Sequence, residues 1–427
     1  MSDKKGSKEP ADTSALYIEL SKLEKSQDYD KALKICNKIL NVAPKDETAF
    51  HCKMVCLMQT GKFDDALKQI LDTHFTDLDL TFEHAYCLYR LNKPEESLEI
   101  LKASNSKSDK VKELRAQIYY RLEKYDESYD LYRDLMKNSS DDFEQERLTN
   151  LQAAAVFVEK ANAANESEDD SYELCYNRGC QLLARGEWVE AEKALKKAEK
   201  MCEDMMKEEE ADDEEIERET GIIRVQVGFA MQMQGGRDRE AQAIYNSVLK
   251  NKPSDIGLVA VASNNMVAMN KDQNIFDSKK KMKAATVEGL EHKLTSVHRA
   301  AIARNNALLA MYTNQVDLCK NLVTELETQF ANHYDESNRE LILAGVLSRS
   351  GKVQDAVEVL LKNKGSDLER ILISAQVCFC IIKIRILLAG VTRFLSMRIC
   401  FSCFYIFVTF TFADFCIWNH FSIHHIK

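Results

Sequence analysis

A short pattern of hydrophobic and polar positions recurs along the chain. A turn-forming or small residue is followed two positions on by an aromatic or apolar residue, and three positions further by Ala or Ser. It reads Gln27-Asp28-Tyr29-Asp30-Lys31-Ala32 and Gly61-Lys62-Phe63-Asp64-Asp65-Ala66. It returns as Glu123-Lys124-Tyr125-Asp126-Glu127-Ser128 and as Gly186-Glu187-Trp188-Val189-Glu190-Ala191. Weaker copies run from Gly236 to Ala241 and from Gly351 to Ala356, and two more place Ser97 and Cys319 at the small position. The first intervals between small positions are 34, 31 and 31 residues; the next is 63. That gap predicts a degenerate repeat or an inserted helix near Phe143 to Ala164.

The unit this pattern predicts is a pair of antiparallel helices joined by a tight turn. A small residue opens the second helix because two helix axes approach closely there, and the aromatic before it plugs the gap between neighbouring pairs. Pro44 and Pro253 each fall 12 residues after a small position, where the second helix must stop. The period is that of tetratricopeptide-type repeats. The expected fold class is therefore all-α, an α-solenoid of antiparallel helix pairs. Composition agrees: four Pro and 14 Gly in 427 residues cannot supply the turns of a strand-rich sandwich.

The formal charge of −10 argues against a protein that coats nucleic acid or anionic membrane by bulk electrostatics. Thirteen Cys in this length are too few for a disulfide scaffold, and most sit in helical apolar patterns, where a thiol acts as a small hydrophobe. Met1 to Asp12 is polar, with no apolar core of a secretory signal, so a reducing cytosolic setting is expected. The average hides a break. Residues 1–376 carry a net −14, whereas 377–427 carry +4 together with nine of the 18 Phe. The expected organisation is a disordered arm at 1–13, a first repeat array at 14–165, further helical repeats at 166–376 with an acidic insert at 203–219, and an apolar tail at 377–427.

A stacked array of this kind leaves one side open, lined mainly by the first helix of each pair. Aligning the first four units on their small positions assigns to that groove Tyr17, His51, Val55, Met58, Phe82, Tyr86, Tyr89, Gln117 and Tyr120. Aromatic and Met side chains give large, adaptable contact area. His51 and His84 read as structural histidines. No phosphate-cradling Gly loop, nucleophile elbow or metal-spaced His-Glu pair is present, so neither enzymatic activity nor a cofactor nor a metal is expected. Glu203 to Glu219 holds 11 acids against Lys207 and Arg218; such density predicts a solvated loop or an exposed helix extension. Lys279, Lys280, Lys281 and Lys283 form the opposite cluster, a candidate phosphate contact or a solvated linker, with no aromatic stacking platform evident beside it.

Several strings are more specific. They include Ala49-Phe50-His51-Cys52-Lys53-Met54-Val55-Cys56-Leu57, Tyr119-Tyr120-Arg121-Leu122-Glu123-Lys124-Tyr125-Asp126-Glu127, Leu131-Tyr132-Arg133-Asp134-Leu135, the segment Asn270 to Lys281, and Ala307-Leu308-Leu309-Ala310-Met311-Tyr312-Thr313-Asn314-Gln315. Over about residues 14–376 the chain resembles the seventy-two-kilodalton subunit family of the eukaryotic signal recognition particle. The resemblance implies a cytoplasmic, endoplasmic-reticulum-associated role in co-translational targeting of secretory proteins. It also implies a heterodimer with the sixty-eight-kilodalton subunit, held by the N-terminal repeats. In that family a Lys-rich C-terminal region with a Trp-containing motif binds the particle RNA. No counterpart occurs before residue 427, so contact with that RNA is expected to be indirect or weak, and contact with the ribosome indirect.

The family-like pattern stops near Ser374-Ala375-Gln376. For the tail three readings stand. Ile399 to Ala413 is an uncharged run of 15 residues, short of the roughly 20 that span a bilayer; membrane contact depends on it. Cys400, Cys403, His420 and His424 resemble zinc-ligand pairs, but with overlong spacing. Phe and Ile codons are A/T-rich and a Val codon begins with GT, which favours a retained intron opening at Val377. Two other functions remain beside the targeting scaffold: a tetratricopeptide cochaperone that clamps chaperone C-terminal peptides, and a membrane-tethered adaptor.

Overall fold

The computed structural model describes residues 13–362, apart from 76, 105, 107, 140–141, 159–160, 162–170, 272 and 334–335. The N-terminal arm, the boundary at 376 and the tail lie outside the described residues. Among these, nineteen α-helices and no strand occur, and they divide at residue 165 into two compact units. The first holds α1 (Ser14–Lys25), α2 (Tyr29–Val42), α3 (Glu47–Gln59), α4 (Phe63–Leu71), α5 (Thr81–Arg90), α6 (Pro94–Ala103), α7 (Asp109–Arg121), α8 (Tyr125–Asn138) and α9 (Glu144–Ala155). The second holds α10 (Tyr172–Ala184), α11 (Trp188–Glu208), α12 (Asp213–Gln234), α13 (Asp238–Lys250), α14 (Ile256–Asn270), α15 (Ile275–Ala285), α16 (Ser296–Tyr312), α17 (Val316–Gln329), α18 (Glu336–Arg349) and α19 (Val353–Lys362). Successive helices pack as antiparallel-repeat pairs, and α9 is the helix that fills the 63-residue interval.

The recurrent turn has one backbone requirement. Gln27, Gly61, Asn92, Glu123, Gly186, Gly236, Asn314 and Gly351 all have positive φ, between 54° and 81°. Each lies five residues before a small position. In most of these turns the residue itself donates its N–H to a carbonyl three residues back, and the next residue donates to one five back. Gly61 thus reaches Met58 at 3.1 Å and Lys62 reaches Leu57 at 2.8 Å; Glu123 and Lys124 do the same to Tyr120 and Tyr119 at 3.0 and 2.9 Å. These paired bonds satisfy the orphan carbonyls at the helix end and need a left-handed residue between them. Gly meets that need freely and Asn readily, whereas Gln27 and Glu123 hold it at a cost.

The small residue that follows meets the preceding helix 12 positions back. Ser97 Oγ donates to the Ala85 carbonyl at 2.6 Å, Ser128 Oγ to that of Ala116 at 2.9 Å, and Cys319 Sγ to that of Ala307 at 3.5 Å. All six residues are fully buried. The same register sets Gly179 against Ala191; a Cβ on Gly179 would lie 2.6 Å from Leu195 Cγ. Side chains at these crossings are small because the backbones occupy the space.

Two expectations are refined. The acidic run is the exposed helix extension rather than the solvated loop: it forms the ends of α11 and α12, the two longest helices described, joined by residues 209–212. Asp212 caps α12 in a reciprocal box with Glu215. The lysine cluster is not a linker. It lies on α15, which packs with α14 as a further helix pair. Ser278 is the fully buried small residue of that pair, although Asn274, four residues before it, carries the positive φ there.

Some polar groups of the second unit are held by neighbouring side chains. Burial alone would raise the Glu192 carboxyl, but hydrogen bonds from Arg237, Lys196 and Gln234 hold it at about 2. His298 is buried in α16, its Nδ1 2.6 Å from Thr295 Oγ1, and burial lowers its imidazole from 6.5 to about 4.

Two outcomes follow from this architecture. Glu123→Gly should raise stability by up to about 1 kcal/mol, since the left-handed cost of roughly 1–2 kcal/mol exceeds the entropy lost by Gly; urea denaturation of the variant measures it. Unfolded His298 takes up a proton near pH 6.5 and the folded residue only near 4. Its contribution is therefore full above 6.5 and declines by up to about 3 kcal/mol as the pH falls towards 4. Unfolding free energies at pH 7, 5.5 and 4.5 should fall less steeply for His298→Asn than for the parent chain.

Candidate functional site

The first helices α3, α5 and α7 touch one another in sequence, so the residues predicted to line a groove form a row across the first unit. Tyr17, His51, Val55, Met58, Phe82, Tyr86, Tyr89 and Gln117 are half-buried, whereas Tyr120 is buried at 8% exposure. Phe82, Tyr86 and Tyr89 rest on the core formed by Ala85, Leu98, Leu101, Leu114 and Ile118, and Met58 on that of Phe50, Met54 and Leu57. Each ring thus has one edge fixed in the core and another left accessible. At the first pair, Tyr17 donates its hydroxyl to Asp46 Oδ1 at 2.7 Å, and the same oxygen caps α3 through the Ala49 N–H. Burial, then the Asp46 carboxylate, pushes the Tyr17 phenol above its usual value.

The rings are ordered among themselves. Phe82 and Tyr86 stack with centroids 6.0 Å apart, and Phe63 meets Tyr86 edge-on at 6.1 Å. Tyr120 meets Tyr125 edge-on at 5.3 Å, and Tyr125 stacks on Phe157 at 4.0 Å. Burial also raises the phenols of Tyr89 and Tyr125.

Sequence reasoning missed the charged members of the row. Arg90 sits 4.5 Å above the Phe63 ring centre and 5.7 Å from that of Tyr86, and donates to the Tyr86 hydroxyl at 2.8 Å. Lys110 lies 4.7 Å from the Phe82 ring centre. Arg121 lies 4.9 Å from that of Tyr89, and donates to the Tyr89 carbonyl and to Asn92 Oδ1 at 3.2 and 3.1 Å. These cations are attracted to the ring faces, and they fix ring positions across helix boundaries. The available signals were the four-residue step from Tyr86 to Arg90 and the 31-residue step from Arg90 to Arg121. Glu83 was also missed. It is buried at 4% exposure on α5, and its Oε1 lies 3.1 Å from His51 Nε2 on α3. That contact joins two repeats through the floor of the row. His84 lines a separate depression of about 410 Å³ with Ile70, Leu78, Leu80 and Ile100, and burial lowers its imidazole.

Among the described residues no group of three or more His, Cys, Asp or Glu is arranged to hold a metal ion, and no helix is long and apolar enough to cross a membrane. The zinc-like pairs and the apolar run of the tail lie outside the described residues. The four lysines belong to the second unit: Lys279, Lys280 and Lys283 are exposed, and Lys281 is half-buried with its Nζ 3.7 Å from Asp277.

Helix pairs with this turn, this close crossing and this row of rings define a tetratricopeptide-type repeat protein. Residues 25–156 match the family model of the SRP TPR-like repeat. Over 354 residues the chain is 43% identical to the signal recognition particle subunit SRP72 of Homo sapiens, covering 81% of this chain and 52% of that protein. It is 36% identical over 365 residues to the SRP72 of Schistosoma mansoni, covering 84% and 51%, and 30% identical over 371 residues to that of Dictyostelium discoideum, covering 82% and 55%. Over that span the chain belongs to the SRP72 family. It spans about half the length of these relatives. Among solved structures, yeast Tom70 aligns over 88% of this chain and 96% of its own at 12% identity, with a TM-score of 0.36, a level from which no structural conclusion follows.

The His51–Glu83 contact can be weighed directly. His51→Ala leaves a buried carboxylate without this partner and should cost about 1–3 kcal/mol. The double variant His51→Ala/Glu83→Leu should recover most of that loss in chemical denaturation.

Proposed function

We propose that the chain is a non-catalytic scaffold subunit of the signal recognition particle, acting in co-translational targeting of secretory proteins to the endoplasmic reticulum. Its first repeat unit grips the sixty-eight-kilodalton subunit through Tyr17, His51, Val55, Met58, Phe82, Tyr86, Tyr89 and Gln117, whereas Tyr120, buried in the core with Tyr129 and Tyr132, supports the row from beneath rather than meeting the partner. The observation that carries this reading is the row of half-buried rings on α5 and its neighbours, held by Arg90, Lys110 and Arg121. Rings fixed at one edge lose little freedom on binding, so they suit an interface core. Their shape is a continuous strip over adjacent helices, which fits an extended or helical polypeptide better than a small substrate. SRP72 kinship supports the particle assignment, and the setting that goes with this reading is the cytoplasm at the endoplasmic reticulum.

Co-purification of the full chain with the sixty-eight-kilodalton subunit tests the reading. Phe82→Ala/Tyr86→Ala should weaken capture at least tenfold, since truncating a central aromatic anchor costs on the order of 2 kcal/mol. Arg121→Gln, which uncovers Tyr89 and removes two exposed hydrogen bonds, to the Tyr89 carbonyl and Asn92 Oδ1, should weaken it less and lower stability by about 1 kcal/mol at most. Undiminished capture by both variants, with folding intact, would remove the assignment.

A further inference from the structure

The α15 helix presents two contrasting faces. Ser278, Met282 and Ala285 are buried on its inner side. On the outer side Phe276 is 85% exposed, the most exposed large hydrophobic residue among those described. Lys279, Lys280 and Lys283 follow at three, four and seven residues, the spacing that puts side chains on one helical face, and all three are exposed. The stacking platform absent from the linear reading is therefore present, because the helix brings Phe276 and the lysines together. The acid of this helix, Asp277, is engaged by Lys281 at 3.7 Å and by Asn270 Nδ2 at 3.4 Å. Among the described residues no carboxylate lies within ion-pair distance of the other three lysines.

We propose that this face binds single-stranded RNA, with Phe276 stacking on a base and Lys279, Lys280 and Lys283 meeting phosphates. A bare ring gains by covering its faces, and an unpaired base presents an apolar π-face whatever its identity. Bases in a duplex are stacked on each other and offer no such face, so loops, bulges and ends are the fitting targets. A bilayer surface fits less well: an interfacial helix buries a broad apolar face, and the apolar face of α15 is already committed to the protein core. The net charge of −10 gives no general attraction for polyanions, so binding rests on this local face and responds sharply to its few residues.

Fluorescence anisotropy with a labelled twelve-nucleotide oligouridylate and the full chain tests the proposal. Phe276→Ala should weaken binding roughly five- to a hundredfold, as loss of one stacked base does, and Phe276→Tyr should retain it. Replacing Lys279, Lys280 and Lys283 by Gln should flatten the dependence of log affinity on log salt by about two, near 0.7 for each phosphate; Arg at the same positions should preserve the slope. Equal binding of a duplex RNA, indifference to Phe276→Ala, or lysine-dependent binding to phosphatidylserine vesicles in place of the oligonucleotide would each overturn it. Because these residues lie in the second unit, capture of the sixty-eight-kilodalton subunit should be unaffected by every one of these variants, so the two assignments fail separately.

Discussion

The close crossing of paired helices is the constraint from which the rest follows. Where a second helix opens against the first, it presents Ala, Ser or Cys, and Ser97 and Ser128 add a hydroxyl bond to the carbonyl 12 residues earlier. The turn five residues upstream must be left-handed to bring the second helix back at that distance. With both conditions met, adjacent pairs share a core, and the first helices α3, α5 and α7 contact each other directly. That contact makes separate rings into one row.

This coupling explains why most of the first unit was legible in the sequence. The turn and the crossing are both local, separated by five residues, so they leave a joint mark. The mark survives even where it is faint: Asn92 and Asn314, which precede the least regular small positions, have the same positive φ as the glycines. The α14–α15 pair escaped notice because its turn places the positive φ at Lys271 and Asn274, outside that five-residue relation. For the same reason its lysines read as a linker when they lie on a helix.

The row of rings was legible in its apolar members and opaque in its charged ones. Rings at helical spacing declare themselves, but whether an arginine covers a ring or extends into water depends on the neighbouring repeat. Glu83 is the clearest instance. A glutamate on a short helix reads as a solvent-facing residue, yet α3 supplies His51 at 3.1 Å and buries it. Charges whose partner comes from another repeat leave no local trace, whereas hydrophobic periodicity does. The α15 face combines both cases, since Phe276 and its lysines are close in sequence but acquire meaning only as a helical surface.

The buried cysteines carry a consequence of their own. Cys36, Cys87, Cys180 and Cys319 are thiols outside any disulfide and fully shielded from solvent, and burial pushes Cys87 and Cys180 up to about 12 and Cys319 to about 11. An alkylating reagent can reach each sulfur only when its own helix pair breathes open. The chain thus has native stopwatches spread along it, and the order in which those sulfurs are tagged would rank the repeats by how readily each one comes apart.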